Sequence, residues 1–305
     1  MRADPAEWEV ARPGWSSRAA GVDMAGFRIA GPLHGGLRIV PHPSVMLALE
    51  FGAGRATVDD GTGPRPAGSM VAGPGFGRGG TVRVGGAHLA CLQVRLSPVV
   101  ARAALGVGPA DLAGAMTSLD DLWGRDAARL RERLAETTTW DERFAQVKDA
   151  LQRRCAAARP VDREVARAWQ CIAARPGLVR VDDLAAEVGW SRKRLWTRFR
   201  TQLGMPPKHA VNLARFDHAV HRLVAGAPAA QVAVESGYFD QSHLHREVRA
   251  FTGLTPRTVA AEPFLTVDDA AWPDGGPWEP PRRTARAGRP PGSTGHPLDL
   301  PHPSG

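Results

Sequence analysis

Residues 181–207 read VDDLAAEVGWSRKRLWTRFRTQLGMPP, and residues 230–256 read AQVAVESGYFDQSHLHREVRAFTGLTP. Laid over one another, they pair Gly189 with Gly237, Trp190 with Tyr238, Leu195 with Leu244, Phe199 with Val248, Gly204 with Gly253 and Pro207 with Pro256. The first two pairs lie 48 residues apart and the other four 49, so the second copy has a turn one residue longer. A segment that recurs in this way is one supersecondary unit used twice. In each copy the spacing predicts a short helix, a tight turn and a longer helix. Leu184, Ala185 and Val188 make the inner side of the first short helix, and Val232, Ala233 and Ser236 that of its counterpart. Gly189 and Gly237 supply the positive φ that ends a helix. Ser191 and Asp240 are placed to accept bonds from the first free amides of the helices that follow.

The longer helices each have an apolar and a polar side. Leu195, Phe199 and Leu203 face inward in the first, and Leu244, Val248 and Phe251 in the second. The opposite side of the first carries Lys193, Trp196, Thr197 and Arg200 at the spacing i, i+3, i+4, i+7. The second presents Gln241, Ser242, His245 and Arg249, with Arg246 on the flank. A helix fits the major groove, where Lys, Arg, Gln and Ser address base edges. Neighbouring cations, hydroxyls and helix N-termini hold phosphates and set the register. Two such helices joined by a third, over about 207–224, would enter successive groove faces roughly 34 Å apart. One copy alone would read equally well as a solvated amphipathic hairpin; two, each with cap, glycine, core leucine and basic outer face, favour DNA.

Charge points the same way. The chain of 305 residues carries 39 Lys and Arg against 31 Asp and Glu, a net +8. Residues 161–260 alone hold fifteen of the cations and nine of the acids, so a polyanionic partner belongs to this region.

The segments LAAEVGWSRKRLWTRFRTQLGMPPKHAVNLARFDHAVHRL and VAVESGYFDQSHLHREVRAFTGLTPRTV, with Arg215 in the linking helix, resemble the AraC/XylS family of bacterial transcriptional regulators over about 100 residues. The resemblance implies an all-α domain of seven helices, the first over Arg163 to Ala174. It implies base contacts from Lys193, Trp196 and Thr197 in the first copy and from Gln241, Ser242, His245 and Arg246 in the second. Ser191, Arg192, Arg200, Arg215, His243 and Arg249 complete the expected DNA-facing set. Trp196 is bulky for a reading position, so a thymine methyl suits it better than a hydrogen bond. Val248 stands where the family usually has Phe and His243 where Tyr is common, departures that bear on packing.

The rest of the chain divides by composition. Residues 27–96 alternate Gly and Pro with short apolar runs, among them 45–49, 81–84 and 89–96, which predicts a β sandwich or barrel. From 97 to 159 the pattern turns helical, with Leu122, Leu130, Leu134, Phe144, Val147 and Leu151 on helical spacing. Residues 27–159 are thus expected to be a sensory or dimerisation domain of α+β character, preceded by an N-terminal arm over 1–26. The DNA-binding domain occupies 160–262. The segment 263–305, rich in Pro, Gly and Arg (Arg282, Arg283, Arg286, Arg289), is expected to be a disordered tail. The β-rich part is similar to a poorly characterised domain that precedes such DNA-binding domains in many actinobacterial proteins, on Leu96-Ser97-Pro98 and Leu105-Gly106-Val107.

Enzyme signals fail on chemistry. Gly73 to Gly80 reads GPGFGRGG but lacks the Lys-Ser/Thr of a nucleotide loop and reads as a flexible turn. His34, His42, His88 and Glu50 lack paired-histidine spacing for a metal. His88 and Cys91 fall on opposite faces of a strand, which excludes a nucleophile pair. Cys155 and Cys171 read as small core residues on amphipathic helices, and three cysteines make no disulfide framework. The first ten residues have no apolar core of a signal peptide and no stretch is long enough for a membrane span. The expectation is a cytoplasmic, nucleoid-associated regulator without cofactor or metal, binding double-stranded operator DNA. A small-molecule effector, RNA polymerase and a second copy of the chain are its further candidate partners. A nonspecific architectural protein, or an enzyme in the N-terminal domain with a helical DNA-binding appendage, are the alternatives.

Overall fold

The computed structural model describes residues 8–15, 21–33, 35–80, 82–107, 112 and 114–272. His34 and residues 273–305, which include Arg282, Arg283, Arg286 and Arg289, lie outside them.

Among the described residues, ten strands form two sheets. The larger has the order β1 (Trp8–Ala11), β2 (Val22–Ile29), β9 (Ala90–Leu96), β4 (Val45–Glu50), β7 (Met70–Ala72), β10 (Met116–Ser118). The smaller runs β3 (Leu37–Arg38), β8 (Arg83–Gly85), β5 (Thr57–Asp59), β6 (Pro64–Pro66). Every pairing is antiparallel. The period of two along a strand sorts side chains onto two faces. Val45, Leu47 and Leu49 of β4 and Leu92, Val94 and Leu96 of β9 fall on one face, in a single core with helical Leu130, Leu134, Phe144 and Val147. Met46, Ala48 and Glu50, with Cys91, Gln93 and Arg95, fall on the other and line a cavity.

The helical layer comprises α1 (Pro98–Leu105), α2 (Leu119–Trp123), α3 (Arg125–Glu136) and α4 (Trp140–Ala157). Ser97 caps α1, Ser118 caps α2 and Thr139 caps α4, each accepting from an amide of the first turn. The Trp140 ring packs against β2 at Gly26, where a Cβ would sit 2.3 Å from the indole. Gly26→Ala should therefore lower stability by about 1–3 kcal/mol through overpacking. Urea denaturation checks this, and an unchanged midpoint would mean the indole moves aside without cost.

Residues 163–259 hold the seven helices implied by the resemblance: α5 (Arg163–Ala174), α6 (Val181–Glu187), α7 (Arg192–Leu203), α8 (Pro207–Val224), α9 (Ala229–Glu235), α10 (Gln241–Thr252) and α11 (Pro256–Val259). Its two units have separate cores. One gathers Leu184, Leu195, Phe199 and Leu203 with Trp169 and Ile172 of α5. The other gathers Val232, Leu244, Val248 and Phe251 with Phe216 and Val220 of α8.

Three boundary expectations are corrected. The N-terminal arm is not separate: Trp8–Ala11 and Val22–Ile29 are strands of the larger sheet, Trp8 edge-on to Phe27 at 6.3 Å. The helical stretch after 97 includes β10, which extends the sheet beyond β7. The tail begins with a helix, α12 (Pro263–Ala271), in which Leu265, Asp268 and Ala271, and Trp272 beyond it, are buried. Pro, Gly and Arg predominate only after this helix, so averaging over 263–305 hid its apolar residues.

Candidate nucleic-acid interface

Both units close their turns with the same bonds. Trp190 N donates to Ala185 O at 2.9 Å, and Tyr238 N to Ala233 O at 2.8 Å. Gly189 at φ +67° and Gly237 at φ +71° make these reversals, which cost a β-carbon-bearing residue steric strain. Ser191 Oγ accepts from Arg194 N at 3.2 Å, and an Asp240 carboxylate oxygen from His243 N at 2.6 Å. Gly204 and Gly253 end the two helices in the left-handed conformation. Each of the two longer helices thus has both ends capped.

The helices bury Leu195, Phe199, Gln202 and Leu203 in α7 and Leu244, Val248, Phe251 and Thr252 in α10. Ser191, Arg192, Lys193, Trp196, Thr197 and Arg200 are all exposed. So are Gln241, Ser242, His245, Arg246 and Arg249. Their cations are not equivalent. Arg192 Nε is paired with Asp182 at 2.8 Å, and Arg200 lies over the Trp196 ring at 5.1 Å. Trp196, 44% exposed, is thereby stacked on its own helix and keeps one face toward solvent. Among the described residues, Lys193, Arg246 and Arg249 make no ion pair.

Two expected DNA-facing residues are turned elsewhere. Arg215 is 12% exposed and donates to Glu247 at 2.5 and 3.2 Å, with its guanidinium 4.5 Å from the Tyr238 ring centre. Tyr238 Oη donates to the same carboxylate at 3.0 Å. Arg215 therefore braces α8 against α10 in the core of the second unit. His243 is half-buried; its Nδ1 accepts from Phe239 N at 3.4 Å and its ring meets Tyr238 edge-on at 5.3 Å. An arginine in a linking helix and a histidine one position before a core leucine have no sequence mark that tells inward from outward.

Residues not singled out in the sequence hold the units in place. Glu187 and Glu235, which also align in the repeat, end the two short helices. Glu187 accepts from Arg167 of α5 at 2.5 Å, and Glu235 from Arg222 of α8 at 2.8 Å. Arg198, the counterpart of Glu247, pairs with Asp162 ahead of α5 at 2.6 Å. The same joint thus recurs with its charges exchanged. Glu187 and Glu235 are held below the usual carboxylate range, chiefly by hydrogen bonds, from Arg167 in the first and from Gln231 and Arg222 in the second. The aligned pair Glu187/Glu235 was the signal that could have found these joints.

The glycine-rich stretch 73–80 is a run of tight turns docked on the second unit. Gly79 N donates to Phe251 O at 2.7 Å, at the C-terminal end of α10 where carbonyls lack helical partners. Arg78 lies 4.9 Å from the centre of the Phe251 ring, and Gly80 packs on the Thr252 carbonyl. Its role is structural, and the flexibility expected of it is replaced by these bonds. Among the described residues, no group of three or more His, Cys, Asp or Glu is placed to hold a metal, and no helix is long and apolar enough to cross a membrane.

Comparison with known proteins finds a family model over part of the helical region. A model described as a helix-turn-helix domain matches residues 184–262. No curated protein matches the chain. Among solved structures, ToxT from Vibrio cholerae O395 is 12% identical, with a TM-score of 0.43 over 81% of this chain and 98% of that one. An AraC-type DNA-binding domain regulator from Chromobacterium violaceum is 24% identical, with a TM-score of 0.31 over 33% of this chain and 91% of that one. The C-terminal domain of AraT, a response regulator from Geobacillus stearothermophilus, is 20% identical, with a TM-score of 0.31 over 33% and 85%. Residues 184–262 thus carry a helix-turn-helix domain, in agreement with the two helix-turn-helix units of the fold.

Proposed function

We propose that the protein recognises an operator by laying α7 and α10 into successive major-groove faces about one helical turn apart. Lys193, Trp196 and Thr197 read one half of the site, and Gln241, Ser242, His245 and Arg246 the other. Ser191, Arg192, Arg200 and Arg249 hold phosphate. The observation that carries this reading is that two capped helices in equivalent units each keep an unburied polar face. An architectural protein would need no such pair of faces with hydrogen-bonding side chains at base-reading positions.

The test is selection of bound duplexes from a random pool, followed by footprinting of variants. Lys193→Ala and Gln241→Ala each remove about 1–3 kcal/mol of discrimination at the bases they address, whereas Arg200→Ala weakens all sequences alike and lowers the salt slope by about one. Unaltered discrimination in both reading-helix variants would remove the assignment.

The cavity between the sheets is the proposed effector site. It measures about 150 Å³ and is walled chiefly by apolar side chains, among them Phe27, Ile29, Met46 and Met70. Its wall also includes Gly73 and Phe76 of the stretch that docks on α10. An occupant that shifts this wall would alter the presentation of α10, which gives the two sites a physical route of coupling. A saturable change in operator affinity on adding a cavity-sized solute checks this.

A further inference from the structure

The cavity carries a cation at one end. In the β4–β9 register Arg95 lies opposite Met46, and His42 and Ser44 precede that point, so all three sit at the same mouth. Glu50 lies at the far end, opposite Cys91, and is already satisfied: it accepts from Ala56 N at 2.5 Å, and its own amide donates to Ser69. Burial, and then the nearby charges of Arg95 and His221, hold His42 well below the usual imidazole range. Arg95 is therefore the cation at the charged mouth.

Arg95 is only partly satisfied. It is buried, with its guanidinium 4.4 Å from the centre of the Trp272 ring. Its Nη2 donates to Asp268 of α12, but among the described residues its Nε has no hydrogen-bond partner. A carboxylate meets a guanidinium best through two parallel bonds along one edge. Asp268 holds that edge by one bond only, and a buried donor left unmet is destabilising. Asp268 is also a joint: its other oxygen faces His221 Nε2 of α8 at 3.4 Å. His221 in turn lies 3.7 Å from Asp217, which faces His42 at 3.4 Å. The chain of contacts runs from the cavity mouth to the helix that joins the two reading units.

We infer that the cavity takes a small carboxylate, with a single ring or a short chain, whose head group takes both donors of the Arg95 edge and displaces Asp268, releasing α12 from α8. The inference rests on the reading of the cavity as the effector site. The ligand class follows from its size and lining. A void of this volume with apolar walls accommodates one benzene ring, and the unmet donor at its mouth calls for an anionic acceptor. Two carboxylates cannot share one guanidinium edge without facing each other as like charges, so the ligand and Asp268 exclude one another. Covering the charged mouth with a residue from beyond the DNA-binding domain makes α12 the moving part.

Calorimetric titration of the full chain with benzoate and hexanoate, with toluene as the neutral probe, tests this alongside hydrogen exchange of residues 264–271. Saturable benzoate binding is expected, at least tenfold tighter in Asp268→Asn and lost in Arg95→Met, while toluene affinity stays within twofold in both. Benzoate should speed exchange in 264–271 at least tenfold and toluene should not. Should Arg95→Met fail to fold, Asp268→Asn and the exchange measurement decide alone. Benzoate affinity within twofold of wild type in Asp268→Asn, or equal exchange with toluene, overturns the displacement. Binding of toluene alone overturns the ligand class and leaves the cavity as a site; binding of none of the three removes the effector reading as well.

Discussion

Glu247→Ala is expected to destabilise the second helix-turn-helix unit by about 3–5 kcal/mol, because it leaves the Arg215 guanidinium buried without a counter-charge. Both side chains are 12% exposed, so solvent can do little to compensate. The loss extends beyond one pair. Tyr238, whose phenol burial and the Glu247 charge push up, would also lose the acceptor that it meets at 3.0 Å. Replacing both partners by apolar residues of similar volume, Arg215→Met with Glu247→Leu, should recover most of the stability, since no charge then remains in the core. Urea denaturation of the single and double variants measures the difference. Footprinting of Glu247→Ala should show protection retained on the half-site of α7 and lost on that of α10. A single variant costing less than about 1 kcal/mol would mean that Arg215 escapes to solvent, and the inward placement would be wrong.

The second large effect is expected at the docking of the glycine-rich turns. A Cβ at Gly80 would come within 1.7 Å of the Thr252 carbonyl oxygen, and the residue sits at φ +71°. Gly80→Val therefore meets a left-handed backbone that costs about 1–3 kcal/mol by itself, before the collision with backbone that cannot yield. The turns should lift from the end of α10, breaking the Gly79 N to Phe251 O bond and withdrawing Arg78 from the Phe251 ring. Amide exchange at Gly79 and Gly253 would rise by more than tenfold, and the thermal transition would broaden as the sheets and the second unit come apart. Gly79→Ala is the control for the backbone effect, because no atom lies near the position of its Cβ. Equal exchange in the two variants would show that strain, not the collision, governs the contact.

How far the molecule was legible varies with the range of the forces that shape it. The repeat, its caps and its glycines are local devices, in which an oxygen two or three residues from an amide, or a positive φ, decides the outcome. Ser191, Asp240, Gly189 and Gly237 therefore stand where the sequence reading placed them. The inner and outer faces of α7 and α10 followed from period alone, and Leu195, Phe199, Leu244 and Val248 are buried as that period requires. In the N-terminal half the runs at 45–49 and 89–96 announced strands β4 and β9. Strand β10 is three residues long and has no core residue to announce it. Its place is set by its partner β7, 44 residues earlier in its Met116–Ala72 pair.

By itself, then, the amino-acid order determined two helix-turn-helix units, the β-then-α division of the first half and which side of each reading helix stays polar. Those properties depend on interactions within a turn or two of chain. The tertiary structure alone decided that Arg215 points inward to Glu247, that the turns at 73–80 dock on the end of α10, and that α12 returns from beyond the second helix-turn-helix unit to hold Arg95. Each joins residues 32 to 173 positions apart. A charge or a glycine carries no mark of a partner that far away. Its effect is set by what burial and chain closure bring against it, and that exists only once the sheets and the helices have packed together.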